Sequence, residues 1–166
     1  MLRKISTLLL LLMVVTVVKA QERTLAERLG YPADAKLLIV HADDLGMSHS
    51  VNIATLKAFE TGLVNSGSIM VPCPWLSEIA TYARAYPQAD LGLHLTLTSE
   101  WTPFRWGPVT SKDRVASLLD KDGYFRLSES EAAKFADPKE VEMEIRAQIE
   151  KAKAMGIVPT HLDSHM

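Results

Sequence analysis

Two adjacent carboxylates and two histidines are the residues of this sequence best suited to chemistry. Asp43 and Asp44 follow an apolar run, His94 lies inside a second apolar run, and His165 is next to the last residue. Two imidazoles and one carboxylate form a standard site for a divalent ion, with positions left for water and substrate. A second carboxylate beside such a site can act as a general base toward that water. The four residues therefore predict metal-assisted hydrolysis of an amide or ester, for which no covalent nucleophile is needed.

Alternating strand and helix patterns run along the chain and determine where these residues lie. The strand patterns cover residues 36–42, 67–71, 90–97 and 157–165, and the helix patterns cover residues 48–61, 75–86 and 137–155. Residues 100–136 are polar and irregular, and they predict a long loop with short helices over a binding face. This alternation predicts an α/β fold in which parallel strands are joined by crossover helices.

The candidate residues fall at the ends of the predicted strands. Asp43 and Asp44 close the first strand, His94 lies late in the third, and His165 closes the last. In parallel α/β folds the chemistry collects at the carboxyl ends of the strands, so we expect all four at one edge. A lone histidine in an apolar strand is usually a core residue, and an Asp-Asp pair is often a solvated turn. Convergence on one edge is what favours the functional interpretation.

Strand periodicity separates the roles of neighbouring residues. Side chains alternate along a strand, so His161, Asp163 and His165 share a face, and His165 is nearest the carboxyl end and the better metal ligand. Asp43 and Asp44 cannot point the same way if both are extended. One of them is therefore expected to bind metal while the other stands beside the water.

Three ordered motifs resemble those of the YdjC-like (ChbG/HpnK-type) carbohydrate deacetylases. Residues 41–48 (HADDLGMS) resemble the family's opening motif, in which Asn-Ala-Asp-Asp-Phe-Gly is usual. Residues 92–98 (GLHLTLT) and 159–165 (PTHLDSH) resemble its second and third motifs, and residues 122–125 (DGYF) resemble another shared segment. The resemblance runs from about Leu37 to the last residue.

The resemblance implies a metal-dependent hydrolase on a parallel (β/α) barrel-type fold related to the polysaccharide deacetylases. Such enzymes remove acetyl groups from N-acetylated sugars such as chito-oligosaccharides. By the resemblance, Asp43 is the general base, and Asp44, His94 and His165 are the metal ligands. The family indicates Mg²⁺ as cofactor, whereas the imidazoles would suit Zn²⁺ or another transition ion better.

Two tryptophans after the second motif are candidates for substrate binding. Trp101 and Trp106 could offer stacking surfaces to a sugar ring at the rim of the site, with plain packing as the alternative. The sequence leaves the exact sugar, the metal and the oligomeric state open.

The sequence departs from the family pattern at its first and last motifs. His41 replaces the usual Asn and Leu45 the usual Phe, which affects the fit of the substrate rather than the metal. The third motif normally continues through further histidines, but the sequence stops at Met166. We therefore expect residues 21–166 to be the N-terminal part of a truncated deacetylase domain, with the general acid in the missing C-terminal part.

The first twenty residues have the organisation of a secretory signal peptide. The basic pair Arg3 and Lys4 precedes an apolar run, and residues 18–20 (VKA) offer a cleavage site. The run is short for a membrane span, so we expect export to the periplasm or the exterior and no stable membrane anchor after cleavage. An uncleaved anchor is the alternative. The exported location suggests envelope or extracellular glycans as substrates.

Composition argues against a nucleic-acid-binding protein and against a fold held together by disulfides. The formal net charge is −2 and becomes more negative once the basic residues of the signal peptide are removed, which is unlike the basic, clustered surface of a nucleic-acid-binding protein. Cys73 is the only cysteine, so no intramolecular disulfide can form.

Two alternative functions fit parts of the pattern. A non-catalytic metal- or glycan-binding module would keep the ligands but release no acetate. A glycosidase would need two carboxyl groups flanking a glycosidic bond, roughly 5 to 9.5 Å apart. The adjacent Asp43 and Asp44 fit that spacing poorly, and a glycosidase would not need the histidines.

Overall fold

The computed structural model of the chain describes residues 22–166. The predicted signal peptide, residues 1–20, lies outside the described residues. The described chain divides into two units at residue 38, and the second unit comprises residues 39–166. The first unit contains a short helix, α1 (Leu25–Arg28), which begins with a capping box. Thr24 accepts a hydrogen bond from the Glu27 amide, and the Glu27 carboxylate accepts one from the Thr24 amide.

The second unit contains a parallel sheet of four strands in the order β1-β2-β3-β4. The strands are β1 (His41–Leu45), β2 (Ser66–Ile69), β3 (Leu91–Leu95) and β4 (Leu162–Ser164). The helices are α2 (His49–Glu60), α3 (Leu76–Ala85), α4 (Glu129–Phe135) and α5 (Pro138–Ala154), with two 3₁₀ turns at Lys112–Arg114 and Ala116–Leu118. Every strand pair is parallel, which confirms the predicted α/β fold with crossover helices. Along residues 22–166, no helix is both long and apolar enough to cross a membrane.

The two faces of the sheet differ in chemistry. One face packs against the helices through a buried apolar cluster that includes Ile69, Leu93 and Ile79. The opposite face is polar, and it curves so strongly that His41 on β1 reaches Asp163 on β4. The His41 Nε2 and Asp163 Oδ2 atoms are 3.1 Å apart, although two strands lie between them. The polar face is therefore concave, as the inner face of a (β/α) barrel must be.

The first strand begins later than predicted. The apolar run at residues 36–42 predicts a strand covered on both faces, but the strand starts at His41, and Leu38 and Ile39 are 81% and 74% exposed. Backbone pairing with the segment before β2 reaches back only to Val40. Because β1 is an outer strand of the described sheet, the preceding residues have one neighbouring segment at most and are not covered.

Helix α5 has the predicted bounds, but its first turn is stabilised differently. Asp137 is the N-cap, and its carboxylate accepts a hydrogen bond from the Lys139 amide at 2.8 Å. Asp137 followed three residues later by Glu140 predicts a capping box, which does not form. The Glu140 carboxylate instead accepts from the Ser117 amide at 2.8 Å, so it fastens a 3₁₀ turn to the helix.

The buried side of α5 is partly polar. The repeat of Val141, Ile145, Ile149 and Ala152 predicts an apolar buried stripe, and Ala152 is fully buried in the apolar cluster. The other three are only partly buried, whereas Glu144 and Gln148 are fully buried. Glu144 accepts hydrogen bonds from the amides of residues 109 and 110, and Gln148 bonds both backbone groups of Thr96. These hydrogen bonds fasten the long segment after β3 to α5. They also give its backbone groups the partners that such groups need when they are buried.

A second apolar cluster packs the long segment against the strand ends. It joins Met47 and Met70, which follow β1 and β2, to buried residues of the segment such as Trp106 and Phe125. The segment predicted as a loop with short helices is therefore ordered over the carboxyl edge of the sheet, where the candidate residues lie.

Candidate metal centre

Asp44, His94 and His165 converge at the carboxyl edge of the sheet. They form a group whose ligand atoms all lie within 4.8 Å of one another. The Asp44 Oδ1 atom is 3.6 Å from His94 Nε2 and 3.4 Å from His165 Nδ1. The predicted metal ligands are thus brought together from three separate strand ends, and both imidazoles are buried.

A left-handed residue lets Asp44 face the two histidines. Asp44 has φ +61°, and the pairing of β1 with β2 shifts register between Ala42 and Leu45. The strand is therefore not regularly extended here, and the period-two alternation that separates Asp43 from Asp44 is broken. Gly46 follows with φ +91°, and its amide donates to Asn52 Oδ1 at 2.7 Å, which ties the turn to α2.

A carboxylate lies behind His94. The His94 Nδ1 atom is 2.8 Å from Asp163 Oδ1, on the neighbouring strand and in direct register. A proton shared at this position belongs to Nδ1, which leaves the Nε2 lone pair directed toward Asp44. Carboxylate–histidine pairs of this kind orient metal ligands and make them more basic.

His165 has the reverse arrangement. Its Nε2 atom is 3.0 Å from Glu100 Oε2, so its Nδ1 faces Asp44. The indole of Trp106 packs edge-on against the His165 ring, with centroids 6.0 Å apart, and its N–H donates to the Thr98 carbonyl at 2.7 Å. The long segment after β3 therefore supplies both the partner and the wall that fix His165.

The charges of the site shift the pKa values of its members. Polar contact with His165 is the main cause that lowers the pKa of Asp44, against an opposing effect of burial. Burial alone would lower the pKa of His165, but contacts with Asp44 and Glu100 outweigh it and raise that pKa. Burial likewise opposes ionisation of Asp163, yet hydrogen bonding from His94 and Ser68 leaves its pKa lowered. The carboxylates are therefore ionised, and the pocket favours positive charge.

Asp43, the predicted base, lies one residue before Asp44 on β1. It is exposed, and within the described residues its carboxylate makes no hydrogen bond or ion pair. Its predicted role stays a prediction, because no structural contact tests it. An exposed carboxylate with no partner among the described residues is free to accept a proton from water.

The two tryptophans occupy different environments. Trp101 is 48% exposed and directly follows Glu100, so it lies at the surface beside the site. Trp106 is only 3% exposed and belongs to the second apolar cluster. Its burial favours the packing role that sequence reasoning left as the alternative, whereas a substrate contact by Trp101 stays a prediction.

The residues fit a divalent cation. Asp44 Oδ1 is buried and has no hydrogen-bond partner in residues 22–166, although two imidazole nitrogens lie 3.4 and 3.6 Å away. Such an unpaired buried oxygen is costly unless a cation binds it. Two imidazole nitrogens and one carboxylate oxygen are donors that zinc and related ions accept readily.

Three further residues of the site were not among the site residues predicted from the sequence. Asp163 and Glu100 hold the ligand histidines, and His41 contacts Asp163 from the far strand. Periodicity places Asp163 on the same strand face as His165, but it does not indicate the contact of Asp163 with His94. No local pattern marks Glu100, because its position depends on how the long segment folds back.

Comparison with known proteins agrees with this arrangement of motifs. Residues 37–166 match the sequence model of the YdjC-like proteins, and the chain belongs to this family. The resemblance predicted from the motifs is thereby confirmed.

Similar proteins include curated carbohydrate deacetylases. The chain is 34% identical over 130 residues to that of Thermoanaerobacter pseudethanolicus, covering 78% of this chain and 50% of the relative. It is 40% identical over 141 residues to that of Thermus thermophilus, covering 85% and 47%. The chain thus spans about half the length of the curated relatives it matches.

A solved structure shares the fold. A protein of Enterococcus faecalis V583, provisionally described as a cellobiose-phosphate cleavage protein, superposes with a TM-score of 0.68 at 32% identity. The match covers 76% of this chain and 47% of that chain. This likeness supports the predicted (β/α) fold class.

Proposed function

We propose that this chain carries the metal-binding and general-base part of a carbohydrate deacetylase that hydrolyses N-acetyl groups of amino sugars. The observation that carries the proposal is the convergence of Asp44, His94 and His165, with a carboxylate behind each imidazole. The names of the similar proteins, carbohydrate deacetylases, support the substrate class.

The residues divide the work of amide hydrolysis as follows. A divalent cation bound by Asp44, His94 and His165 would polarise the acetyl carbonyl and favour ionisation of water. Asp43 accepts the proton of the water that adds to the carbonyl carbon. The C–N bond then breaks as a proton passes to the nitrogen, so that water supplies both the new oxygen of acetate and the proton of the free amine. Asp163 and Glu100 keep the two imidazoles aligned throughout.

The proposal is tested by acetate release from N,N′-diacetylchitobiose, with a chelator or with added Mg²⁺ or Zn²⁺. We expect metal-dependent release that Asp43→Asn reduces by about 10²-fold or more, because general-base catalysis is worth that much. Asp122→Asn, in an exposed turn, is the matched control. Metal binding without any acetate release would support a non-catalytic metal- or glycan-binding module instead.

Export is a separate part of the proposal. We propose that residues 1–20 direct the chain out of the cytoplasm, so that envelope or extracellular glycans are its substrates. The mass of the protein recovered from the exported fraction tests this, because cleavage after Ala20 predicts a chain that begins at Gln21. Recovery with the leader still attached would favour the anchored alternative.

A further inference from the structure

A second group of metal-capable side chains lies on the concave face of the sheet, beside the candidate metal centre. His41 on β1, Asp163 on β4 and His161 just before β4 offer ligand atoms that all lie within 4.8 Å of one another. The His41 and His161 rings meet edge-on, with centroids 5.4 Å apart, and His41 Nε2 is 3.1 Å from Asp163 Oδ2. The donor set is the same as that of the first group, two imidazoles and one carboxylate.

Both imidazoles of this second group are held by the ring nitrogen that faces away from it. His41 Nδ1 is 3.0 Å from the Ser66 hydroxyl, and His161 Nδ1 is 2.9 Å from the Thr160 hydroxyl. When the hydroxyl oxygen accepts the Nδ1 proton, Nε2 carries a lone pair. In His161 this atom has no partner among the described residues, whereas in His41 it lies 3.0 Å from the Ser68 hydroxyl, a contact that a bound ion would replace. A metal-binding histidine is commonly oriented by a hydrogen bond at its other nitrogen in the same way.

The Nε2 atom of His161 gives an independent indication of a ligand. It is buried and has no hydrogen-bond partner among the described residues. Buried polar atoms are almost always paired, so an orphan nitrogen on a ring of this group needs an explanation. The ring also lies directly against Gly92, where a Cβ atom would come within 2.4 Å of it. The strand thus leaves room for this ring only because residue 92 is glycine.

We propose that His41, His161 and Asp163 form a second divalent-metal site that takes Zn²⁺ or a similar transition ion. Mg²⁺ fits it poorly, because this ion prefers oxygen ligands and keeps its water shell. Asp163 serves both groups, since its Oδ1 contacts His94 and its Oδ2 faces His41. The bound ion links β1 to β4, the two outer strands of the described sheet, and so braces the concave face on which the first site depends.

The full chain, stripped of metal with a chelator, is the material for the test. Zn²⁺ is titrated by calorimetry, and bound zinc is measured after gel filtration. The variants are His41→Asn, His161→Gln and His165→Gln, with His49→Gln as the matched control because His49 lies on α2 and pairs with Glu78. Circular dichroism checks that each variant is folded. If His41→Asn does not fold, His161→Gln alone tests the second site.

The wild type and His49→Gln are expected to bind two equivalents of zinc, and His41→Asn and His161→Gln one. His165→Gln is also expected to bind one equivalent, because it removes a ligand of the first site and leaves the second site intact. Loss of binding at the first site can therefore be distinguished from loss of binding at the second. Zinc should also raise the thermal midpoint of His165→Gln but not that of a His41→Asn/His165→Gln double variant. The same zinc stoichiometry in the wild type and both second-site variants would overturn the proposal.

Discussion

The two ligand histidines differ in which ring nitrogen faces Asp44. His94 presents Nε2 because Asp163 holds its Nδ1, whereas His165 presents Nδ1 because Glu100 holds its Nε2. The partner carboxylate therefore determines the tautomer of each ring, and with it the lone pair that is free for a metal. Asp163 and Glu100, which are not in the first ligand group, thus determine whether both imidazoles of that group can bind a metal.

Glu100 allows a clean test of this positioning role, because its carboxylate contacts His165 alone among the candidate ligands. Glu100→Gln is expected to weaken metal binding at the first site by about 10- to 100-fold, the usual effect of losing an orienting partner. Calorimetric titration in a His41→Asn background reports the first site only. Glu129→Gln, on the exposed first turn of α4, is the matched control. Equal affinity in the Glu100 and Glu129 variants would show that the contact does not orient the ring.

Cys73 is expected to be inert in the folded chain. It is 3% exposed, and burial raises the pKa of its thiol, with the nearby charges of Asp44 and Glu100 acting in the same direction. The thiolate is the reactive form, so alkylation by iodoacetamide should be at least about tenfold slower in the native protein than in urea. Since this is the only cysteine, mass spectrometry reads its modification directly. Equal rates in both states would mean that the cluster around Cys73 opens readily.

At the scale of elements, helices were easier to predict than strands. Capping residues and glycine stops mark α2 and α5, because these signals act within a few residues of the chain. The start of β1 depends instead on which neighbour pairs with it, and apolar content alone placed it too early. The left-handed Asp44 was also outside the reach of periodicity, since alternation assumes a regular strand. The motifs nevertheless singled out Asp44, His94 and His165, which the structure brings together.

Substitution of Glu144 is predicted to destabilise the long segment. Its buried carboxylate accepts from two backbone amides and from Gln148. Glu144→Leu should lower the free energy of unfolding by about 2 to 4 kcal/mol, because it leaves these donors unpaired. Urea unfolding measures the change, and Glu142→Leu on the exposed side of α5 is the matched control. A Glu144 variant as stable as the control would mean that the segment finds other partners.

Gly92 is expected to be intolerant of any side chain. A Cβ atom there would lie 2.4 Å from the His161 ring, so Gly92→Ala should destabilise the fold by about 1 to 3 kcal/mol through overpacking. Removing the ring should relieve the clash, and Gly92→Ala should therefore cost much less in a His161→Ala background. Urea unfolding of the single and double variants measures this coupling. Additive effects would place the ring elsewhere in solution.

Across the described chain, the polar concave face and the apolar outer face have different functions. The outer face supplies the burial that holds helices to the sheet, and the concave face gathers three carboxylates and four histidines, namely Asp44, Glu100, Asp163, His41, His94, His161 and His165. Such a polar interior contributes little to stability by itself. The charges on this face change with pH and with bound metal. The free energy of unfolding of the second unit should therefore depend on both.

Stability of the metal-free chain should pass through a maximum in mildly acidic solution. The pKa of His165 is raised above its ordinary 6.5, so its contribution is complete below that pH and is lost as pH rises through the folded pKa. The pKa values of Asp44 and Asp163 are lowered below 3.8, so their contribution is present above that pH and is lost as pH falls through the folded values. Urea midpoints measured with a chelator between about pH 3 and pH 8 should show both limbs.

With a divalent ion bound, stability should increase with pH over the range in which the stability of the metal-free chain decreases. Metal binding requires His165 to be neutral, so protons and metal compete for the same nitrogen and the stabilisation by zinc should grow as pH rises from about 6 to 8. The difference between urea midpoints with zinc and with chelator measures this gain. His165→Gln should flatten the upper limb without metal and reduce the gain with zinc. A gain that is independent of pH would show that the ion binds without displacing a proton from His165, and the site would then have to be assigned to other residues.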